Sequence, residues 1–231
     1  MRRIAKALSI LVGAAVLAVV LVQGWFFAHV LWWDRYNPGT TSVMAARLET
    51  LRAKNPNAEL KYRWVDYDRI SAHLKRAVVS AEDAKFIDHE GFDWEGIQRA
   101  LEKNQTRGKV VAGGSTISQQ LAKNLLLSGE RSYLRKGQEA IVTVMLESAM
   151  SKRRILELYL NVAEWGEGVF GAEAAARHYF GVSAANLAPD QAARLAAMLP
   201  RPRFYDRNRG SRYLATYTER ILARMPSAQV P

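Results

Sequence analysis

The sequence predicts one mainly α domain that follows a single membrane-spanning helix at the N-terminus. Three observations predict this class. Residues 7–33 contain no charged side chain, and crossing the hydrocarbon core of a membrane takes roughly 20 apolar residues. Beyond that run, apolar residues recur at helical spacing in one segment after another. No segment keeps the apolar–polar alternation that is typical of a half-buried strand.

The N-terminal segment is predicted to be a retained signal anchor. Residues 1–6 form a basic head, which the excess of positive charge on the inner side of membrane proteins places in the cytoplasm. Residues 7–33 form the transmembrane helix, and aromatic rings that favour the membrane interface gather near its far end: Trp25, Trp32 and Trp33. The alternative is a cleaved secretory signal, whose apolar region would be about 7–15 residues long and end at small residues. The longer run favours the anchor and places the rest of the chain beyond the membrane.

The part of the chain outside the membrane is basic and large enough for one domain of about 200 residues. The net charge is +11, and subtracting the three cations of the head leaves +8. Such an excess indicates anionic partners, which are phosphate groups, lipid headgroups or nucleic acid. Lipid phosphates are the nearest of these outside a membrane. The sequence has no cysteine, so disulfides and thiolate chemistry are excluded. We expect a juxtamembrane region over 34–60 and the domain over 61–231.

The first candidate site is an acidic pair, Glu82 and Asp83, at the end of an apolar helical segment. Burial beside an apolar face raises the pKa of a carboxylate. A general base that takes the proton of a sugar hydroxyl requires such a pKa. His89 follows six residues after Asp83. The alternative is a solvated acidic pair on the surface.

The second candidate site is the segment 113–127, which reads GGSTISQQLAKNLLL. Ser115 and Thr116 are predicted to cap a helix over 117–127. The unpaired N–H groups at such a helix start favour anions. Three polar side chains share one face of this helix at i, i+3 and i+4: Gln120, Lys123 and Asn124. The alternative is an ordinary solvated helix face.

The third candidate site is a group of charged residues within 130–147. Arg131, Arg135 and Glu139 are spaced so that they share one helix face, and Lys136 stands beside them. A guanidinium binds phosphate oxygens as a planar fork while an ammonium acts as a point charge, so the two types together suit a diphosphate. The alternative is salt bridging along the helix without any ligand.

The fourth block, 152–181, combines a helical core stripe with a glycine-rich stretch. Glu157 and Asn161 interrupt the stripe. Residues 166–171 match G-x-G-x-x-G, and Asp190 follows at about the distance that dinucleotide-binding proteins show. We reject that interpretation because a helix precedes the glycines and no βαβ unit surrounds them. The glycines are predicted to form a tight turn between two helices.

These four blocks, in this order, resemble the peptidoglycan glycosyltransferases of glycosyltransferase family 51. The agreement covers about residues 60–205 and runs through EDAKFIDHEG, GGSTISQQLAKNL, RKGQEA and KRRILELYLN. The resemblance implies a lysozyme-like, mainly α domain with a small membrane-associated jaw. It also implies the reaction, in which the disaccharide-peptide of lipid II joins a glycan strand held on undecaprenyl diphosphate. No S-x-x-K or K-T-G element is present, so no transpeptidase activity is expected.

The resemblance assigns roles to individual residues. Glu82 is the implied general base, which takes the proton from the acceptor's 4-hydroxyl while the anomeric carbon inverts from an α-linkage to a β-1,4 bond. Glu139 matches the family's second essential carboxylate. The implied diphosphate-binding cations are Lys123, Arg131, Arg135 and Lys136. The other residues that the resemblance places in or beside the substrate site are Asp83, His89, Ser115, Thr116, Gln120 and Asn124.

The resemblance also sets expectations for cofactors, partners and location. No cofactor is required, and a divalent cation, Mg²⁺ or Mn²⁺, is optional with Asp83 as its candidate ligand. The expected partners are lipid II, the lipid-linked glycan strand and membrane lipids, then cell-wall synthases and division proteins, and no nucleic acid. The chain is expected in the bacterial inner (cytoplasmic) membrane, with its catalytic domain in the periplasm or at the outer face.

Two other functions remain open at this stage. A lysozyme-like hydrolase would cut the same polymer with carboxylates in a helical fold, but it would need neither a diphosphate cluster nor an anchor. A non-enzymatic scaffold would bind anionic lipid through its basic surface, and it would not depend on Glu82.

Overall fold

Helices form most of the structure, a computed structural model that describes residues 2–109, 113–127 and 132–231. The predicted mainly α class is therefore confirmed, and its lysozyme-like character is consistent with the family. In chain order the α-helices of the described residues are α1 (Arg2–Arg35), α2 (Ser42–Arg52), α3 (Ala72–Glu82), α4 (Trp94–Arg107), α5 (Ile117–Leu126), α6 (Tyr133–Ala149), α7 (Lys152–Val162), α8 (Ala172–Phe180), α9 (Pro189–Met198), α10 (Pro202–Arg207) and α11 (Arg212–Arg224).

Helix α1 is long and apolar enough to cross a membrane. It has 34 residues, which at 1.5 Å per residue makes it about 51 Å long, well beyond the ~30 Å hydrocarbon core. Near the C-terminal end of the helix, Val30 and Trp33 are buried against the domain. The helix includes residues 2–6 of the predicted head as well as the 7–33 segment, so the boundary between those two parts stays a prediction.

The core of the domain lies where α3, α5 and α7 pack with their neighbours. Helix α3 packs against α9 and α11, while α5 packs against both α6 and α7. The face of α3 that the sequence marked as apolar is fully buried, with Leu74, Ala77 and Val78 at 0% exposure. The end of α3, where Glu82 lies, meets α5 through a side-chain hydrogen bond from Gln120.

A three-stranded sheet lies beside the helices and was not predicted. Strand β1 (Lys61–Tyr62) pairs in parallel with β3 (Val169–Phe170), and β2 (Glu164–Gly166) pairs antiparallel with β3. The predicted turn between two helices at 166–171 is thus a turn between two strands of a hairpin. Strands of two or three residues are too short to show alternation, which is why the sequence did not reveal them.

Glycine is required at the end of this hairpin. Gly171 has φ of +83°, and a Cβ there would come within 2.7 Å of the carbonyl oxygen of Asn161. A glycine at this position therefore lets the backbone at residue 171 lie close to the backbone of Asn161.

Two helices occupy regions for which the sequence predicts no helix. The three glycines and two cations of 104–114 predict a loop, but α4 extends to Arg107 and is followed by Gly108 in the left-handed conformation. Residues 110–112 of that predicted loop lie outside the described residues. Pro200 and Pro202 are predicted to end the helix over 189–198, and α11 lies beyond them. Both helices carry many charged residues, which obscures the apolar spacing.

Two polar residues interrupt the apolar core stripe of α7, and both bind the backbone of the segment that precedes α3. Asn161 accepts a hydrogen bond from the Val65 N–H and donates one to the Val65 carbonyl, both at 2.9 Å. Glu157 accepts from the Tyr67 N–H at 2.8 Å. Buried backbone groups need such partners, so these side chains fix the chain as it enters α3.

Candidate active site

The first part of the site is the base site, which we define as Glu82, Gln120 and Tyr159. Glu82 is the last residue of α3. Gln120 of α5 donates from Nε2 to Glu82 Oε2 at 2.7 Å, and Tyr159 of α7 donates its hydroxyl to Gln120 Oε1 at 3.0 Å. Three helices thus place one hydrogen-bonded chain that ends on the carboxylate.

Burial raises the pKa of Glu82 above its ordinary value. The Gln120 hydrogen bond and the charge of Lys123 oppose this effect, whereas the charge of Asp83 adds to it. Loss of water disfavours the ionised form, so the carboxylate binds a proton more readily than it would on the surface. The direction of this pKa shift is the one that the apolar segment predicts, and the role of Glu82 as a general base stays a prediction.

Tyr159 remains a hydrogen-bond donor in this arrangement. Its pKa lies well above the ordinary value because of burial first, and then because of the charges of Glu82 and Asp83. The hydroxyl therefore stays protonated and fixes the orientation of the Gln120 amide.

Asp83 forms the second part of the site, the Asp83 brace, which consists of Asp83, His89 and the N–H of Ile117. The buried carboxylate pairs with His89 Nε2 at 2.9 Å through one oxygen and accepts from the Ile117 N–H at 3.0 Å through the other. His89 Nδ1 accepts from the Gly91 N–H at 3.2 Å, so Nε2 carries the proton that points to Asp83. The brace joins the end of α3 to the start of α5.

Thr116 and Ser115 differ at the start of α5. Thr116 is buried, caps the helix by accepting from the Gln119 N–H at 3.2 Å, and donates to the Gly91 carbonyl at 2.7 Å. The Thr116 hydroxyl thus connects the start of α5 to the backbone at Gly91. Ser115, in contrast, is exposed. Gly91 has φ of +90°, and a Cβ there would lie 2.7 Å from the Thr143 Cγ2.

A half-buried ionic group supports the brace from α5, α6 and α7. Lys152 donates to Glu147 at 2.8 Å and to the His89 carbonyl at 2.5 Å. Ser118 donates to the same Glu147 carboxylate. The Lys152 ammonium also lies 4.8 Å from the centre of the Phe86 ring. These contacts fix the loop that carries His89.

The third part of the site is the cation cluster, which we define as Arg135, Lys136 and Glu139 in the first half of α6. Glu139 is buried, with 5% of its side chain exposed. It accepts from Arg135 Nη1 at 3.3 Å and pairs with the Lys136 ammonium. The Lys136 side chain keeps 49% exposure and the Arg135 side chain 18%, so the buried carboxylate holds one cation that faces outward and one that is largely covered.

The remaining predicted residues lie on or near these parts. Lys123 is half-buried on α5, and Asn124 is buried one residue further along. Arg131 lies outside the described residues. Helix α5 connects the base site with the cation cluster. It carries Gln120 and packs against α7, which carries Tyr159, and against α6, which carries the cation cluster. The roles assigned to the individual site residues stay predictions.

Two tyrosines near Glu82 were not among the predicted site residues. By its spacing, Tyr159 belongs to the apolar core stripe of its helix. A buried tyrosine hydroxyl usually has a hydrogen-bond partner, and this was the signal available in the sequence. Tyr217 of α11 donates to the Ala81 carbonyl at 3.3 Å, and the charge of Glu82 contributes to its raised pKa after burial. No motif surrounds Tyr217, so the sequence alone does not single it out.

A small pocket elsewhere contains none of the predicted site residues. It measures about 100 Å³ and lies among Arg63, Arg69 and Arg177. It is lined by elements other than those of the base site and the cation cluster.

Comparisons with known proteins agree with the resemblance noted in the sequence. Residues 48–226 match the family described as Transglycosylase. The chain is 60% identical to a biosynthetic peptidoglycan transglycosylase of Janthinobacterium sp. (strain Marseille) over the whole of both chains. It is 65% identical, over 90% of each chain, to the protein of the same name from Dechloromonas aromatica (strain RCB). A relative from Aromatoleum aromaticum (strain DSM 19018 / LMG 30748 / EbN1) is 64% identical over 92% of each chain.

Proposed function

Because this chain belongs to the transglycosylase family, we propose that it polymerises lipid II into peptidoglycan glycan strands by inverting glycosyl transfer. Peptidoglycan glycosyltransferase activity follows from the family and from the names of the relatives. The choice of lipid II as substrate and the roles of single residues are our proposal. The observation that carries it is the base site, in which a desolvated carboxylate of raised pKa is held by a neutral amide.

Glu82 is the proposed general base. It takes the proton from the 4-hydroxyl of the acceptor sugar, and the oxygen then forms a bond to the anomeric carbon of the lipid-linked donor. The bond from that carbon to the diphosphate oxygen breaks on the opposite face, and the diphosphate leaves with the electron pair. The proton ends on Glu82, so the step balances without a further acid.

The cation cluster is proposed to bind the diphosphate. Negative charge develops on the leaving group in the transition state, and preorganised cations stabilise it there. Glu139 positions Arg135 and Lys136 by direct contact, and Lys123 contributes charge near Glu82. Arg131, which the sequence places just before α6, would add a fourth cation.

The Asp83 brace is proposed to position the base rather than to touch the reacting atoms. Each oxygen of Asp83 already accepts from a protein donor. Among the described residues there is no group of three or more potential ligands that could hold a metal ion. The donor set around Asp83 therefore does not favour the optional Mg²⁺ or Mn²⁺, and no step of the proposed mechanism passes through a metal.

The location proposed for the chain is the bacterial inner membrane, with residues 1–6 in the cytoplasm and the domain in the periplasm or at the outer face. The single apolar helix supports one crossing. Exposed apolar side chains on α6 support contact with membrane lipids, namely Leu134, Ile141 and Val144. Lipid II and the lipid-linked strand would then be met at the membrane surface, and cell-wall synthases and division proteins stay predicted partners.

The test is polymerisation of lipid II by the purified full chain in lipid vesicles. We expect long glycan strands from the wild type and from Glu219→Gln, a control at an exposed carboxylate of α11. Glu82→Gln should give almost none. Shortening of preformed glycan without polymer formation would support the hydrolase, and undiminished polymerisation by Glu82→Gln would refute Glu82 as the base.

A further inference from the structure

The outer part of α1 lies against the domain along one face of the helix. Every residue of α1 described before Gln23 is exposed, whereas Gln23, Phe26, Val30 and Trp33 are partly or fully buried. Their spacing of i, i+3, i+7 and i+10 is that of a single helix face. The anchor is therefore docked from Gln23 onward and is not a free tether.

Gln23 is a polar residue within the apolar run, and the structure gives it a partner. Its Nε2 donates to Gln138 Oε1 at 2.8 Å, and Gln138 Nε2 donates to Gln23 Oε1 at 2.9 Å. Each amide thus donates once and accepts once. Such paired amides between helices stabilise their contact in an apolar medium because an unpaired amide there is unfavourable.

A second attachment holds the far end of the same helix. Arg154 of α7 donates to the Trp33 carbonyl from Nε at 2.9 Å and from Nη2 at 2.7 Å. The same guanidinium reaches the Tyr36 carbonyl at 3.0 Å and pairs with Glu157 at 2.7 Å. These contacts satisfy carbonyls that the end of a helix leaves without partners. Gln23 and Trp33 lie about 15 Å apart along the helix axis, so two separated attachments fix the tilt of α1.

The position of Gln138 connects this docking to the chemistry. Gln138 immediately precedes Glu139 on α6, the helix of the cation cluster. We propose that Gln23 and Gln138 are positioning residues, whose paired amides hold the cation cluster at a fixed depth beside the bilayer, where a lipid-borne diphosphate lies. This inference rests on the proposed function and adds the anchor helix to the machinery that presents the substrate.

The docking can be tested without any activity. The chain has no cysteine, so single cysteines can be introduced in a clean background. With Gln23→Cys and Gln138→Cys in vesicles, a short bismaleimide should link α1 to α6, as shown by peptide mass spectrometry. Leu21→Cys with Gln138→Cys is the matched control, because Leu21 points away from α6 and is 64% exposed. Equal linkage in both pairs, or none in the first, would overturn the docking.

The positioning role needs a second readout that a loss of folding would not mimic. Gln23→Leu and Gln138→Leu should each raise KM for long-chain lipid II in vesicles by roughly fivefold, the factor expected for two interhelical side-chain hydrogen bonds. Turnover of a short-chain, water-soluble lipid II analogue should stay unchanged, because that substrate does not depend on depth in the bilayer. An equal loss with both substrates, or no change with either, would overturn the proposal. If the wild type polymerises neither substrate, the proposed function fails, while the cross-linking still decides whether α1 is docked.

Discussion

The base site and the cation cluster each hold a carboxylate, and they surround it in opposite ways. Glu82 accepts a hydrogen bond from the neutral amide of Gln120, and burial raises its pKa. Glu139 is buried more completely than Glu82, and Arg135 and Lys136 contact it directly. A neutral partner keeps Glu82 able to accept a proton. The direct contacts of Glu139 with Arg135 and Lys136 are the basis of its proposed role in positioning those two cations.

The largest expected effect is on Glu82. A positioned general base contributes about 10²–10⁴-fold to a rate, so Glu82→Gln should lower kcat for lipid II polymerisation by at least about 100-fold. The same change should not destabilise the fold at neutral pH. Because the folded-state pKa of Glu82 is raised, its stabilising contribution is lost as the pH rises through that pKa. Gln cannot ionise, so the Tm of the variant should equal or exceed that of the wild type.

Both measurements are needed to interpret that variant, and Glu219→Gln is the control for each. A fall in Tm together with the loss of rate would show that Glu82 acts as a structural group, contrary to our assignment.

The cation cluster should respond less strongly. Hydrogen bonds to charged groups contribute about 1.5–3 kcal/mol, so Glu139→Gln should lower kcat/KM for lipid II by about 10–100-fold. The loss should grow with added salt because the freed cations are screened more readily. Glu102→Gln, at an exposed position of α4, is the matched control. A complete loss, as large as that of Glu82→Gln, would mean that Glu139 itself takes part in proton transfer.

The Asp83 brace should affect stability more than chemistry. Asp83→Ala leaves the His89 N–H and the Ile117 N–H without acceptors, and each buried unsatisfied donor costs about 1–3 kcal/mol. We expect a lower Tm and a proportionate loss of active protein, whereas Asp83→Asn should restore part of both. If activity disappears at unchanged Tm, Asp83 contacts the substrate or a metal directly, as the resemblance had allowed.

The sequence predicted those parts of the molecule that depend on local spacing. The apolar run of α1, the buried face of α3 and the polar face of α5 were all visible as periodic patterns. The acidic pair was visible too, but the different surroundings of its two carboxylates were not. Glu82 accepts from a side-chain amide of α5, and Asp83 accepts from one backbone N–H of α5 and from an imidazole. These differences depend on α5, which lies more than 30 residues further along the chain.

Other features escaped prediction because they arise from contacts between distant segments. The sheet pairs residue 61 with residue 169, and strands of two or three residues show no alternation. Tyr217 reaches the site from the last α-helix. Gln23 stands in the sequence as one polar residue within an apolar run, and only the fold shows that Gln138 lies opposite.

The smallest expected effect is a shift along the pH axis. The Gln120 hydrogen bond lowers the pKa of Glu82, so Gln120→Leu should raise that pKa further. The base must be deprotonated to act, and the acidic limb of the kcat–pH profile should therefore move to higher pH. At alkaline pH, kcat should approach the wild-type value. Gln105→Leu, at an exposed position of α4, should leave the limb in place, and a shift toward lower pH for Gln120→Leu would contradict the proposed role of the amide.

The contrast between the two carboxylates can be measured directly by titrating Glu82. Carbon-13 NMR of the carboxyl groups of glutamate-labelled protein, with Glu82→Gln used to assign the resonance, gives its pKa in the absence of substrate. We predict a pKa above the usual glutamate value of about 4.3, and the same pKa should describe the acidic limb of the kcat/KM–pH profile for lipid II polymerisation. A Glu82 resonance that titrates at or below the usual glutamate value would contradict the account of Glu82 as a desolvated general base.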